Sequence, residues 1–239
     1  MDLELTGKVA LLVGGAGTIG VAVGKTLAAE GAVTIAADVG LPMDVAAGRL
    51  PIDVTSPASV AECVGAVVGR HGRIDILVVL AGVYDGTPLA QLTAEGWDRV
   101  LAINLKGTFL ACREVLPHMQ RSDYGRIICL ASLAGQVGGI VAGANYAASK
   151  AGVLSLVKSL AKHAGKPWIT VNAINPGPVE GTMTSAWPDE SRQAIIAKIP
   201  VARYAQPSEI AALIAFLSSP RAAFIHGAHL DINGGLHMD

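Results

Sequence analysis

The chain has 239 residues, about half of them hydrophobic, and this length fits one α/β domain better than two. A formal net charge of −1, with no run of like charges, offers no electrostatic footprint for nucleic acid or an anionic membrane and therefore favours a small-molecule partner. The first residues do not resemble a secretory leader, no apolar stretch approaches the ~18 residues of a membrane span, and the three cysteines are widely spaced, so we expect a cytoplasmic protein without disulfides or a metal site.

Apolar runs of strand length alternate with longer amphipathic segments. The runs predicted as strands are 8–13, 32–38, 73–82, 125–132, 168–177 and 228–235. The segments predicted as helices are 18–30, 57–71, 93–121, 145–164, 183–198 and 207–218, with Ser56 and Gln206 as N-caps. Segment 39–52 contains Pro42, Gly48 and Pro51, which favour a loop or a short helical turn. Because strands buried on both faces read as continuous apolar runs, the pattern predicts one doubly wound α/β domain over residues 1–239.

A glycine-rich stretch, "GGAGTIG", directly follows the first predicted strand and precedes a predicted helix. In it Gly15, Gly17 and Gly20 satisfy the spacing G-x-G-x-x-G. Glycines permit a tight turn and a close backbone approach, while the helix N-terminus offers free N–H groups to a pyrophosphate. The stretch therefore predicts a dinucleotide-binding turn, and a plain strand-to-helix turn is the alternative.

Two carboxylates lie near the predicted nucleotide site. Asp38 ends the second predicted strand, eighteen residues after Gly20. A carboxylate there accepts hydrogen bonds from ribose hydroxyls and repels a 2′-phosphate, so it favours NAD over NADP as the cofactor. Asp53 is less specific, because it could bind the adenine edge or cap the helix that follows.

A tyrosine and a lysine lie four residues apart in "ANYAASKAG". On a helix Tyr146 and Lys150 share one face, so both could act on one ligand. A nearby ammonium lowers the pKa of a phenol, and we expect Lys150 to do so for Tyr146. The phenol could then exchange a proton with a carbonyl or alcohol while a nicotinamide exchanges hydride.

Together with further motifs, these residues make the chain resemble the short-chain dehydrogenase/reductase family over nearly its whole length. Ser132 in "LASLAG", Asn104 in "AINLKGTF", and the segments "NPGPVEGTM" (175–183), "RYAQPSEIA" (203–211) and "DINGG" (231–235) follow the family order. The resemblance implies a Rossmann-like three-layer α/β/α fold of about seven strands in the order 3-2-1-4-5-6-7. It also implies a homotetramer.

The resemblance assigns roles to individual residues. It implies that Tyr146 is the general acid/base, that Ser132 binds the substrate oxygen, that Asn104 holds a water of the proton relay, and that Lys150 also binds the ribose. It makes segment 178–200 a lid over the substrate, with Met183, Ala186 and Trp187 covering an apolar ligand. The residues that it assigns to the cofactor are Gly14, Gly15, Gly17, Thr18, Ile19, Gly20, Asp38, Asp53, Val54, Ala81, Gly82, Tyr146, Lys150, Pro176, Gly177, Val179 and Thr182.

Some positions depart from the family pattern. Val79 and Leu80 stand where relatives carry two asparagines after the fourth strand. Gly181 replaces a threonine, so that either Thr182 or Thr184 could reach the nicotinamide. Loop 139–145, which lines the substrate pocket in relatives, is rich in glycine and apolar residues.

Three functional hypotheses follow. The first is an NAD(H)-dependent oxidoreductase acting on a secondary alcohol or its ketone. The second is a 3-oxoacyl-carrier-protein reductase, although relatives with this activity usually take NADPH and need a basic surface for the acidic carrier. The third is a non-catalytic dinucleotide-binding sensor. A metal pair of His226 and His229 is not expected, because the two would point to opposite faces of a strand.

Overall fold

A parallel sheet forms the centre of the molecule. The computed structural model describes residues 2–139, 142–185 and 187–238. Within these ranges seven strands pair in the order β3-β2-β1-β4-β5-β6-β7. They are β1 (Val9–Val13), β2 (Val33–Asp38), β3 (Arg49–Pro51), β4 (Ile76–Val79), β5 (Gly125–Leu130), β6 (Ile169–Pro176) and β7 (His229–Ile232). This order confirms the predicted fold class.

Helices cover both faces of the sheet. They are α1 (Thr18–Ala29), α2 (Pro57–His71), α3 (Ala94–Leu101), α4 (Gly107–Gln120), α5 (Ala134–Val137), α6 (Ala144–His163), α7 (Thr182–Ser185), α8 (Asp189–Ile196) and α9 (Pro207–Ser218). Short 3₁₀ turns occur at Leu89–Gln91 and Pro220–Ala222, and a π-helical turn, Ala102–Lys106, joins α3 to α4. None of the helices within the described ranges has both the length and the apolar character that crossing a bilayer requires.

Two hydrophobic cores lie on opposite faces of the sheet. One contains Leu11 of β1 together with α2, α4 and α6, and the other contains Leu12 of β1 together with α1 and α9. Because alternate residues of a strand point to opposite faces, a strand covered on both sides must be apolar throughout. All five residues of β1 are buried accordingly.

Both predicted N-caps precede their helices. The Ser56 hydroxyl accepts a hydrogen bond from the Ser59 N–H at 3.3 Å, before Pro57 opens α2. At α9, the Glu209 carboxylate accepts from the Gln206 N–H at 2.7 Å, so the first turn satisfies a backbone donor that lacks a helical partner.

Two segments differ from the predictions. Within 39–52, expected as a loop, β3 pairs in parallel with β2, so this segment supplies the edge strand of the sheet. The predicted helix over 183–198 is wrong, because α7 and α8 are separate helices. Pro188 precedes α8 with a ψ of 143°, which is extended backbone, and proline cannot donate the hydrogen bond that a helix interior needs. Ala186 lies outside the described residues.

Candidate active site

The candidate catalytic side chains meet at the carboxyl edge of the sheet. Ser132 lies two residues beyond β5, and Tyr146 is in the first turn of α6. Their side chains are hydrogen-bonded to each other. The Ser132 hydroxyl also accepts from the Ala134 N–H at 3.2 Å, which fixes its orientation at the start of α5. The structure thus joins a hydroxyl and a phenol that lie fourteen residues apart in the sequence.

Lys150 lies one turn after Tyr146 and is almost fully buried, with 3% of its surface exposed. Its Nζ donates to the Leu130 carbonyl at 2.7 Å and lies 5.8 Å from the centre of the Tyr146 ring. Burial lowers the pKa of the ammonium to about 8, because a low-dielectric environment disfavours the charged form. The amine is therefore held by one strand end, beside the phenol.

The pKa of Tyr146 shifts in the direction opposite to the sequence prediction. Burial raises it, and the hydrogen bond with Ser132 opposes this rise only in part. The predicted lowering by Lys150 is therefore wrong for the chain by itself, because desolvation of the phenol dominates. The phenol is therefore held in its protonated form at neutral pH.

Asn104 lies in the π-helical turn between α3 and α4. Its Oδ1 accepts from the Val83 N–H at 2.8 Å, and its Nδ2 donates to the Val83 carbonyl at 3.0 Å and to the Ser149 hydroxyl at 3.0 Å. The amide thus ties the loop after β4 to α6. π-Helical turns are frequent at functional sites. Here the turn contains Asn104, a weak helix former, whose side chain connects the loop after β4 to α6.

The glycine-rich loop has the geometry of a dinucleotide cradle. A Cβ on Gly20 would lie 2.4 Å from the Gly14 carbonyl, so only glycine allows α1 to begin so close to β1. Helix α1 starts after Gly17 without a side-chain cap, which leaves its N-terminus open to an anion. Thr18 and Ile19 form its first turn. These residues fit a bound pyrophosphate.

Asp38 is oriented beside this loop. Its Oδ2 accepts from the Ala16 N–H at 3.0 Å and its Oδ1 from the Val39 N–H at 2.8 Å. Among the described residues no salt bridge joins Asp38 to a cation. Asp53 instead accepts from the N–H and hydroxyl of Thr55, at 2.9 and 2.7 Å, so its carboxylate organises the turn before α2. These bonds lower its pKa.

The loops after β3 and β4 complete this side of the site. Val54 is buried against Gly107, where an added Cβ would lie 2.8 Å from the valine side chain. Gly82, next to Ala81, is adjacent to the lysine: a Cβ at that position would lie 3.5 Å from the Lys150 Nζ.

The segment after β6 contacts the glycine-rich loop directly. Gly177, after Pro176, donates to Ile232 at 3.1 Å, and Val179 pairs with Ala205 in an isolated bridge. Of the two candidate threonines, Thr182 places its Oγ1 2.9 Å from the Thr18 Oγ1. Thr184 is buried and donates to the Val179 carbonyl at 2.7 Å. Thr182 therefore faces the cofactor loop, while Thr184 stabilises its own segment.

Two aromatic residues form a row that begins at Tyr146. Tyr84, which the sequence interpretation missed, places its ring centre 5.3 Å from that of Tyr146, and Trp187 follows 5.8 Å beyond Tyr84. For Tyr84 the available signal was its position in the segment after β4. Loop 139–145 can be described only in part, since residues 140 and 141 lie outside the described ranges.

No metal cluster occurs among residues 2–139, 142–185 and 187–238. Cys63, Cys112 and Cys129 are free and buried. His226 bonds to the backbone of Val171 and Ala161, and His229 to that of Leu154, so both histidines fasten secondary structure.

The chain is similar to proteins that are named as reductases. A family model described as Enoyl-(Acyl carrier protein) reductase matches residues 14–237. The chain is 37% identical to 3-oxoacyl-[acyl-carrier-protein] reductase FabG of Thermotoga maritima, covering 98% of this chain and 99% of that protein. The protein of the same name from Escherichia coli (strain K12) is 36% identical, with coverage of 99% and 100%.

Two solved structures are similar to the chain over almost its whole length. The crystal structure of gox2181 superposes with a TM-score of 0.92 at 33% identity, over 98% of this chain and 97% of that one. A crystal structure described as Short-chain dehydrogenase/reductase SDR:Glucose/ribitol dehydrogenase, from Brucella melitensis, gives a TM-score of 0.90 at 32% identity over the full length of both chains. With full-length relatives above 30% identity and this fold, the chain belongs to the short-chain dehydrogenase/reductase family.

Proposed function

We propose that the protein reduces the 3-oxo group of an acyl thioester to a 3-hydroxy group with NADH. The observation that carries the proposal is the joined cluster of Ser132, Tyr146 and Lys150 at the carboxyl edge of the sheet. The thioester substrate is supported by full-length relatives named 3-oxoacyl-[acyl-carrier-protein] reductase.

The side chains suit a reduction. A bound nicotinamide supplies the hydride that reaches the carbonyl carbon. The Ser132 hydroxyl and the Tyr146 phenol bind the carbonyl oxygen, and the phenol donates its proton to it as the charge develops. Burial raises the pKa of Tyr146, so the phenol carries a proton to donate at neutral pH, although the same shift makes it a weaker acid. The ammonium form of Lys150, beside it, stabilises the phenolate that remains.

The choice of NADH is supported by Asp38. Its carboxylate is fixed at the end of β2 by two backbone N–H groups, where it would accept bonds from ribose hydroxyls and repel a 2′-phosphate. We expect NADH to exceed NADPH in kcat/KM by at least tenfold. Asp38→Ser should lower the ratio of kcat/KM for NADH to kcat/KM for NADPH about tenfold or more, because it removes the negative charge. A preference of the unsubstituted protein for NADPH would disprove the cofactor proposal.

The reaction itself is tested with a 3-oxobutanoyl thioester, presented on N-acetylcysteamine and on an acyl carrier protein, while nicotinamide absorbance is followed. We expect oxidation of NADH with formation of the 3-hydroxy thioester. Tyr146→Phe keeps the ring but loses the acidic proton, so turnover should fall by ~10²-fold or more while NADH affinity stays within about twofold. Undiminished turnover in this variant would remove Tyr146 from its role.

A second candidate is the oxidation of a secondary alcohol with NAD. It is favoured by the similar Brucella melitensis structure, whose description includes glucose/ribitol dehydrogenase, and by the same Asp38 carboxylate. A panel of polyols and secondary alcohols with NAD separates the two candidates. NADH binding without turnover of any carbonyl or alcohol would favour the non-catalytic sensor instead.

Three further expectations remain proposals. Segment 178–200 would act as the substrate lid of a single domain, the protein would form a homotetramer, and it would act in the cytoplasm. Light scattering after size exclusion tests the second of these. A monomer at micromolar concentration would contradict it.

A further inference from the structure

A row of aromatic rings leads away from the proposed proton donor. Tyr84 lies against Tyr146 with ring centres 5.3 Å apart and planes inclined by 60°. Trp187 lies 5.8 Å from Tyr84 at 50°, and Tyr204 lies 6.5 Å beyond Trp187, edge to face. All three spacings are those at which aromatic pairs attract each other.

Tyr84 is held in place by contacts of its neighbour. The Asp85 carboxylate accepts from Asn145 Nδ2 at 2.7 Å, and its carbonyl accepts from the Gly143 N–H at 2.7 Å. Asn145 also accepts from the Tyr146 N–H at 2.8 Å, so one amide joins the two chain segments. The loop that carries Tyr84 is therefore fastened to the helix that carries Tyr146.

Trp187 is positioned from the other end of the row. Tyr204, against which it packs, is 1% exposed. The Arg192 guanidinium lies 4.9 Å above the Tyr204 ring, pairs with Glu180 at 2.9 Å and donates to the Thr184 carbonyl at 2.9 Å. The two bonds connect the chain before Trp187 to the chain after it, and the ring contact joins Arg192 to Tyr204; Trp187 itself stays half-buried.

We propose that Tyr84 and Trp187 form an aromatic wall that determines substrate specificity, and that the site selects carbonyl compounds carrying a planar apolar ring next to the reacting carbonyl. The inference rests on the proposed function, since it takes Tyr146 as the proton donor. A carbonyl oxygen bonded to the Tyr146 hydroxyl brings its nearest substituent within a few ångströms of the adjoining ring. Tyr84 and Trp187 offer flat, polarisable surfaces there, which a planar substituent contacts over more area than a flexible saturated chain does.

The charges around the wall agree with an apolar substituent. Asp85, which follows Tyr84 in the chain, is engaged by Asn145 and Thr87, and the Arg192 guanidinium over the Tyr204 ring is engaged by Glu180. Neither group is directed at a charged substituent. Loss of either ring should cost about threefold to tenfold in kcat/KM for the planar substrate.

The test compares two N-acetylcysteamine thioesters, 3-oxo-3-phenylpropanoyl and 3-oxohexanoyl, as a ratio of kcat/KM. The unsubstituted protein should favour the phenyl compound by about tenfold. Tyr84→Leu and Trp187→Leu should each lower the ratio about threefold to tenfold, and Tyr84→Phe, which keeps the ring, should preserve it. Trp168→Leu is the matched control, because Trp168 precedes β6 at the opposite edge of the sheet and should leave the ratio unchanged.

The inference would be overturned if the unsubstituted protein preferred the straight-chain thioester. It would also be overturned if the kcat/KM ratio were the same in Tyr84→Leu and in Trp187→Leu as in the unsubstituted protein. The same comparison with two simple methyl ketones, one bearing a phenyl group and one a hexyl chain, separates the two proposals. If only these ketones are reduced and the phenyl compound is favoured, the wall stands while the thioester proposal fails. If no carbonyl compound is reduced, both fail.

Discussion

The burial of Lys150 has a measurable effect on stability. In the folded protein the pKa of this lysine falls from the usual 10.5 to about 8, which corresponds to about 3 kcal/mol of destabilisation at neutral pH. Between these two values the unfolded chain binds more protons than the folded one, so this group makes the free energy of unfolding rise with pH. The destabilisation is fully present below pH 8 and is relieved towards pH 10.5.

Lys150→Met removes the charge and keeps an apolar chain of similar length. The Leu130 carbonyl then loses its donor, at a cost of ~1 to 3 kcal/mol that does not depend on pH. At pH 7 the variant should therefore gain on the order of 1 kcal/mol in free energy of unfolding. Between pH 7 and pH 9.5 the free energy of unfolding of the unsubstituted protein should rise by about 2 kcal/mol relative to that of the variant.

Urea denaturation of both cofactor-free proteins at a series of pH values provides the measurement, with equal m-values as the check on comparability. Lys158→Met is the control for loss of one positive charge, because Lys158 is exposed on the same helix. A difference between the proteins that stays constant from pH 7 to pH 9.5 would refute the reasoning. Turnover should be lost in Lys150→Met throughout.

Two further predictions concern the segment after β6. Gly181 has a φ of +155°, and an added Cβ would lie 2.8 Å from the Thr18 side chain. Gly181→Ala should therefore weaken NADH binding about tenfold or more, measured by fluorescence titration, and unaltered affinity would contradict the packing. Thr184→Val removes a buried hydroxyl that donates to Val179, so the free energy of unfolding should fall by ~1 kcal/mol. Thr182→Val replaces an exposed hydroxyl and should change the free energy of unfolding by no more than ~0.5 kcal/mol. Equal losses of stability in the two variants would contradict the different roles given to Thr182 and Thr184.

The fold class followed from the sequence because strands buried on both faces leave a pattern of apolar runs. The edge strand β3 has only three residues, too few for a periodicity, and it forms because β2 offers it partners. Pro188 is the residue from which the break between α7 and α8 could have been predicted, because proline lacks the N–H that a helix interior uses.

For the site, the sequence identified groups but not their surroundings. The spacing of Tyr146 and Lys150 predicted a shared helix face, yet the direction of the tyrosine pKa depends on burial, which spacing does not reveal. Tyr84 was missed because its importance comes from a ring contact across sixty-two residues of chain. Loops that meet only in the folded state leave no local pattern.

The parallel sheet also affects how the chain reaches its fold. Among the described residues every pairing between the seven strands is parallel, so no two neighbouring strands of the sheet are joined by a hairpin. Central β1 pairs Ala10 with Ile76, far along the chain. Such distant pairings require large loops to close before any contact rewards them, which slows folding and leaves apolar strand edges open in the meantime. Refolding from denaturant is therefore expected to be slower, and more sensitive to protein concentration, than that of a helical bundle of equal length.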